Sequence, residues 1–195
     1  MAKKLIPPAK ILHYLEDHQV NFRLIQHRTV YTAYDAAATL KKKLSEIAKI
    51  LFVKADRDFY LAVLPADYNL QMEKLGKIIS RQIGQAVKKV ILPGEKIMAA
   101  ALKIKAGALS AFGQIHRLPV IVEKNLAKNK RVILPTGSFN YSVEMAMADY
   151  LKLEKGCLGI FGQKKKIKAA KTLKPKKISR AKAKISLKKA VKKSR

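Results

Sequence analysis

Acidic residues are scarce in this 195-residue chain: 13 Asp and Glu stand against 42 Lys and Arg, giving a formal charge of +29. That imbalance favours a polyanion such as RNA or DNA over a neutral protein partner. Cysteine is nearly missing, and Cys157 alone permits neither an intrachain disulfide framework nor a paired-cysteine metal motif. No apolar run approaches the roughly 18 residues of a membrane span, and the start "MAKKLIPPAK" leads into no apolar segment long enough for a secretory signal. The expected compartment is therefore the cytoplasm, with no membrane partner. The chain has no GxGxxG or GxxxxGK[ST] loop. His13 and His18 flank Leu15 without a third ligand, while His27 and His116 stand alone, so the histidines read as structural or surface residues. Neither a metal nor a cofactor is expected.

What is present is unevenly placed. Residues 163–195 hold 16 Lys or Arg and no Asp or Glu, leaving 26 basic and 13 acidic residues before them. Both parts are basic, and composition divides the chain into a domain over 1–162 and a Lys-rich tail over 163–195. The tail's hydrophobes are too sparse for a core, so it is expected to stay disordered until an anionic partner neutralises it, with a helix over about 181–192 available on that partner. Its cations, Lys164, Lys165, Lys166, Lys168, Lys171, Lys174, Lys176, Lys177, Arg180, Lys182, Lys184, Lys188, Lys189, Lys192, Lys193 and Arg195, are candidate nucleic-acid contacts. The tail lacks aromatics, which argues for phosphate contact rather than base stacking.

Periodicity organises the remainder. "PPAKILHYLEDH" puts Ile11, Leu12 and Leu15 on one helical face, and "VNFRLIQH" reads as a strand. Thr32 followed by Asp35 resembles a capping box opening a helix over about 33–40. "ILFVKA" and "FYLAVL" form a hairpin across the polar turn "DRD". "YNLQMEKLGKIIS" restores helical spacing, "AVKKVIL" is a short strand, and a helix begins near Pro93. "PVIVE", "RVILP" and "YSVEM" are strands, and "MADYLKLEK" is a closing helix. Strands mixed with peripheral helices predict an α/β domain of α+β type with antiparallel pairing, not a strict βαβ repeat.

Two loops could carry chemistry. In "AGALSAFGQIH", Gly107 and Gly113 permit tight backbone geometry, Ser110 could bond a substrate and Phe112 could pack or stack. In "PTGSFNYS", Gly137 is surrounded by hydroxyl and amide side chains. Each reads equally as an ordinary polar turn. Lys49 stands just ahead of the apolar run Ile50–Val53, where an ammonium gains little from solvent exposure.

The ordered stretches "FRLIQHRTVYTAYDAAATL", "EIAKILFVKADRDFYLAVLPADYNLQMEKLGKII" and "GALSAFGQIHRLPVIVEKNLAKNKRVILPTGSFNYSVEM" resemble the YbaK/ProX family of aminoacyl-tRNA editing domains over about residues 8–160. The resemblance implies a compact, mixed, largely antiparallel, barrel-like sheet with surrounding helices. It also implies hydrolysis in trans of the ester of a mischarged aminoacyl-tRNA, with no metal. The family lysine falls on Lys49, placed to orient the terminal adenosine and to stabilise charge developing on the ester oxygen. Gly107, Phe112 and Gly113 fall on the family's glycine loop, whose backbone N–H groups would assist; with Lys49 they form the implied catalytic set. Thr32, Ser110, Gly137, Ser138 and Phe139 are the implied substrate-binding set. The sequence departs where Ser110 and Ala111 replace a proline step before Phe112, and where Ser138 and Phe139 follow Gly137. Phe139 either narrows the pocket or turns inward. The alternative reading is an inactive RNA- or DNA-binding member, associated with the ribosome or nucleoid.

Overall fold

The computed structural model describes residues 7–104 and 109–165, and the compact unit to which they belong runs to Lys165. In chain order the elements are α1 (Ala9–Asp17), β1 (Phe22–Gln26), α2 (Ala33–Leu40), β2 (Ala48–Ala55), β3 (Asp58–Pro65), β4 (Tyr68–Leu70), α3 (Met72–Ile83) and β5 (Val90–Ile91). There follow α4 (Glu95–Leu102), β6 (Val120–Glu123), α5 (Lys124–Ala127), β7 (Arg131–Ser138), β8 (Tyr141–Ala146), α6 (Met147–Glu154), β9 (Cys157–Gly159) and β10 (Gly162–Lys164). The helix expected over about 181–192 lies outside the described residues.

Local chemistry sets several of these boundaries. The Thr32 hydroxyl accepts from the Asp35 backbone N–H and the Asp35 carboxylate accepts from the Thr32 N–H, each at 3.1 Å, so α2 begins where the capping box predicts. The β2–β3 hairpin turns through Asp56, whose carboxylate accepts from the backbone N–H groups of Lys88 and Lys89 at 3.0 and 2.8 Å. Those bonds bring β5 alongside the end of β2.

The five-stranded sheet runs β5-β2-β3-β6-β9 and is buried on both faces. Strand alternation divides its side chains. Ala48, Phe52, Leu61 and Val63 join one core with Val132, Val143 and Met145 of the neighbouring β1-β8-β7 sheet. Val53, Ala55, Tyr60, Ala62 and Leu64 join a second core under Leu75 and Ile79 of α3. A continuous apolar run such as "FYLAVL" is what a strand covered on both sides requires. Beyond α3, β4 pairs with β10 in a small antiparallel ribbon. Glu123 anchors that ribbon: its buried carboxylate accepts from the Phe161 and Gly162 backbone N–H groups, both at 2.6 Å, and from Asn125.

One expectation fails. The strands do not form a barrel-like sheet; they lie in separate sheets of three, two and five strands. β2 is paired with β3 along its length, but its other edge meets β5 only at Lys54 and Ala55. Closure would need β7 paired along that free edge, and among the described residues the pairing there is one isolated bridge between Ile47, just before β2, and Ile133. β7 carries Pro135, which has no N–H to donate, and a bulge between Pro135 and Ser138 where Gly137 turns at φ +82°. Within the five-stranded sheet β6 lies parallel to both β3 and β9.

Candidate functional site

The gap left between β2 and β7 is a crevice of about 450 Å³, a size suited to a small-molecule moiety. β2 lines it from Ala48 to Phe52, and Ile133, Pro135 and Gly137 of β7 line it opposite. Tyr31, Thr32 and Tyr34, around the start of α2, and Leu92, Glu95 and Met98, around α4, also line it. Among the described residues its charged lining is Lys49 and Glu95.

Strand alternation settles the direction of Lys49. Its near neighbours in phase, Leu51 and Val53, belong to the α3 side of the sheet, so the lysine leans the same way and its ammonium donates to the Tyr68 carbonyl of β4. Burial pulls its pKa down from 10.5 to about 8; the Lys165 charge adds to this and Asp67 opposes it. Asp67 is buried, with Oδ1 unpartnered among the described residues and Oδ2 3.7 Å from the Lys164 ammonium, while its carbonyl accepts from the Lys165 N–H at 2.7 Å. The Lys165 ammonium lies 4.9 Å from the centre of the Tyr34 ring. Among the described residues, the Lys49 and Lys164 ammonium groups thus lie near Asp67, with Lys165 near Lys49, beside the crevice.

A second polar arrangement was not anticipated from the sequence. His27 and Ser142 are buried, and Ser142 lines the crevice. His27 Nδ1 is 2.8 Å from the Arg28 carbonyl, which can only accept, so in the neutral imidazole Nδ1 carries the hydrogen. Nε2 then accepts, and the Ser142 hydroxyl 2.9 Å away donates to it. The lone pairs of Ser142 Oγ remain for a partner in the crevice. "IQH" and "YSV" lie 115 positions apart, and only the pairing of Ile25 with Ser142 across β1 and β8 brings them together.

Of the expected site residues, the crevice gathers Lys49, Thr32, Gly137, Ser138 and Phe139, although the Thr32 hydroxyl is already engaged as a helix cap. Phe139 lines the crevice and packs its ring against Tyr31, centroids 5.3 Å apart. Phe112 and Gly113 belong elsewhere. Phe112 is fully buried, edge-on to Tyr14 and Tyr150. Gly113 is small for packing reasons: a Cβ there would meet the Leu118 carbonyl and Val120 Cγ2, each at 2.5 Å. Ser110 is buried beside Thr136 with its hydroxyl unpartnered among the described residues, and it is the adjacent Leu109 that reaches the crevice.

The oxyanion donors expected from this loop are also engaged. The Ala111 N–H donates to the Pro135 carbonyl at 2.9 Å, and those of Gly113 and Gln114 serve the buried Glu154 carboxylate. Gly107 and the tail cations from Lys166 to Arg195 lie outside the described residues. Among the described residues no cluster of His, Cys, Asp and Glu could hold a metal ion, and no helix is long and apolar enough to cross a membrane.

Comparison with known proteins adds an independent line. The sequence pattern of the aminoacyl-tRNA editing domain matches residues 27–153. The prolyl-tRNA editing protein ProX of Acetoanaerobium sticklandii is 26% identical over 147 residues, covering 72% of this chain and 86% of that protein. A crystal structure of a hypothetical protein superposes with a TM-score of 0.69 at 20% identity, covering 79% of this chain and 99% of its own. The crystal structure of a candidate trans-editing enzyme for prolyl-tRNA synthetase superposes at 0.67 with 17% identity, covering 82% and 99%.

Proposed function

Because the chain belongs to the aminoacyl-tRNA editing domain family, of the YbaK/ProX type, we propose that it hydrolyses in trans the ester linking a mischarged amino acid to the 3′ end of tRNA. The observation that supports this reading is the crevice between β2 and β7, whose lining includes a half-buried lysine, a carboxylate and Ser142 with His27 behind it. An aminoacyl ester offers matching groups: phosphates for the lysines, an α-ammonium for Glu95, and a carbonyl whose oxygen becomes negative as water adds.

In this reading Lys49 supplies the cation next to the developing charge, in a partly desolvated setting where it counts for more than in water. Water is the nucleophile. It passes a proton to Ser142 Oγ while Ser142 passes its own to His27 Nε2, and His27 returns that proton through Ser142 to the departing ribose oxygen. The products are a free amino acid and uncharged tRNA. Esters are reactive enough for positioning and one oriented relay to suffice. The tail, Lys166 to Arg195, together with Lys164 and Lys165, would supply general attraction to the tRNA backbone.

The rival reading, tRNA binding without turnover, is favoured by one observation: the N–H donors of residues 111, 113 and 114 are already engaged. A panel of mischarged tRNAs incubated with the wild-type protein and with Lys49→Gln separates the two. Ester loss that depends on Lys49 supports the deacylase. Retention of tRNA with no turnover above buffer on any member of the panel leaves the binding reading.

A further inference from the structure

The mouth of the crevice carries an aromatic surface that ester hydrolysis does not use. Tyr31 is 75% exposed and Tyr34 38% exposed, unusual for large aromatic side chains, and Phe139 packs against Tyr31 with an interplanar angle of 50°. These rings are held, not dangling. The Val30 N–H donates to the Phe139 carbonyl and the His27 N–H to the Asn140 carbonyl, both at 2.9 Å, and the Asn140 side-chain amide donates to Thr29 Oγ1 at 2.9 Å. Two loops from distant parts of the chain are thereby fastened together with an aromatic ring on each. The bulge at Gly137, whose φ of +82° suits glycine, bends β7 so that Phe139 reaches the rim.

Charge around this surface selects its occupant. Lys165 lies over Tyr34, and Lys49 and Lys164 stand close by around Asp67. Of the nearby acids, Asp35 is committed to capping α2. A preorganised pair of tilted aromatic rings, one of them largely exposed, beside a cluster of ammonium groups fits a π-face joined to a phosphate, which is an unpaired nucleotide.

We propose that Tyr31 and Phe139 form a stacking platform for the unpaired terminal base of an RNA 3′ end, with Lys165 and Tyr34 holding the adjoining phosphate. This deepens the deacylase reading and rests on it, since it places the base beside the crevice that would receive the acyl group. It also moves base recognition into the folded domain, leaving phosphate contact to the aromatic-free tail.

The test uses the full-length chain and the uncharged trinucleotide CCA carrying a 5′ fluorophore, read by anisotropy, alongside the same probe with an abasic terminal nucleotide. Tyr31→Ala and Phe139→Ala are each expected to weaken CCA binding about 5- to 150-fold, the range of one lost base stack. Tyr31→Phe should retain wild-type affinity, because the ring and not the hydroxyl is invoked. The abasic probe should bind the wild type weakly and be indifferent to either substitution. Lys165→Ala should lower the slope of log affinity against log salt by about 0.7, the value for one single-strand phosphate. Equal wild-type affinity for the two probes, or unchanged CCA binding by both alanine variants, overturns the platform. If mischarged tRNA is still hydrolysed in that case, the deacylase reading survives without the platform; if CCA stacks but no ester is cleaved, the platform survives without the deacylase.

Discussion

Lys49 offers the sharpest test of the proposed chemistry, because its ammonium titrates within reach of an ordinary assay. Burial beside Lys165 holds its pKa at about 8 against an ordinary 10.5. If the charged form assists the reaction, kcat/KM should fall about tenfold between about pH 7 and about pH 9, as the protonated fraction of the free enzyme falls. The α-amino group of an aminoacyl ester titrates in the same region, so the quantity to plot is the ratio of wild type to Lys49→Gln. The variant shares the substrate's titration but has no ammonium to lose. At about pH 7 that ratio should be on the order of 10² to 10³, as for loss of one oxyanion-stabilising donor, and it should shrink as pH rises. The same group makes a stability prediction of opposite direction. A lysine whose folded pKa is depressed opposes folding while charged in both states, and that cost is relieved between about pH 8 and pH 10.5, where only the unfolded chain keeps the proton. Since Lys49 is only half-buried, solvent screening limits the gain to about 1–2 kcal/mol. Chemical denaturation of the wild type and Lys49→Met across that interval should show stability rising in the former relative to the latter. A ratio of activities that is flat with pH would refute the catalytic role, and a flat stability difference would refute the desolvated setting from which the role is argued.

Three further outcomes are expected. Glu123→Gln should destabilise the fold by about 2–4 kcal/mol, since whichever way the amide is turned its NH₂ faces N–H donors that the carboxylate satisfied on both oxygens; the thermal midpoint should drop by roughly 5–15 °C, whereas an unchanged midpoint would remove Glu123 as the anchor of the β4–β10 ribbon. His27→Gln should lower kcat far more than it raises KM if His27 relays a proton through Ser142, and a rise in KM with kcat unchanged would assign it to binding instead. Deleting residues 166–195 should weaken tRNA affinity and flatten its salt dependence by about 0.7 to 0.9 in log–log slope for each phosphate contact removed; unchanged salt dependence would take the tail out of RNA binding.

How much could be read from the sequence followed the range of the interaction concerned. The start of α2 was legible because Thr32 and Asp35 cap each other within one turn, and the β2–β3 hairpin because its apolar runs flank the turn at Asp56. The three-residue strands β4, β9 and β10 were not: each is shorter than any useful periodicity and exists through partners far along the chain. Gln163 and Lys164, which composition assigns to the tail, form part of β10 for that reason. The loop at Phe112 and Gly113 has the look of a ligand loop because glycine is small and permissive, yet at Gly113 smallness is demanded by the Leu118 carbonyl. His27 gave no sign of a role, because the hydroxyl that gives it one arrives from β8.

The error about the barrel is the most informative of these, because the same residues account for the failure of closure and for the site. A closed sheet would have consumed the outer edge of β2 and left Lys49 as one more side chain on a paired strand. Instead Pro135 cannot donate to a ladder, the bulge at Gly137 bends β7 away, and β5 covers only Lys54 and Ala55. The stretch from Ala48 to Phe52, paired with β3 on one edge only, becomes one wall of a crevice whose opposite wall is the bent end of β7. The bulge that opens this space also carries Phe139 to its rim, and the strand pairing that supports it sets Ser142 against His27. Thus a single departure from sheet regularity connects the backbone chemistry of proline and glycine to a crevice, a hydrogen-bonded Ser–His pair beside it and an aromatic surface at its mouth.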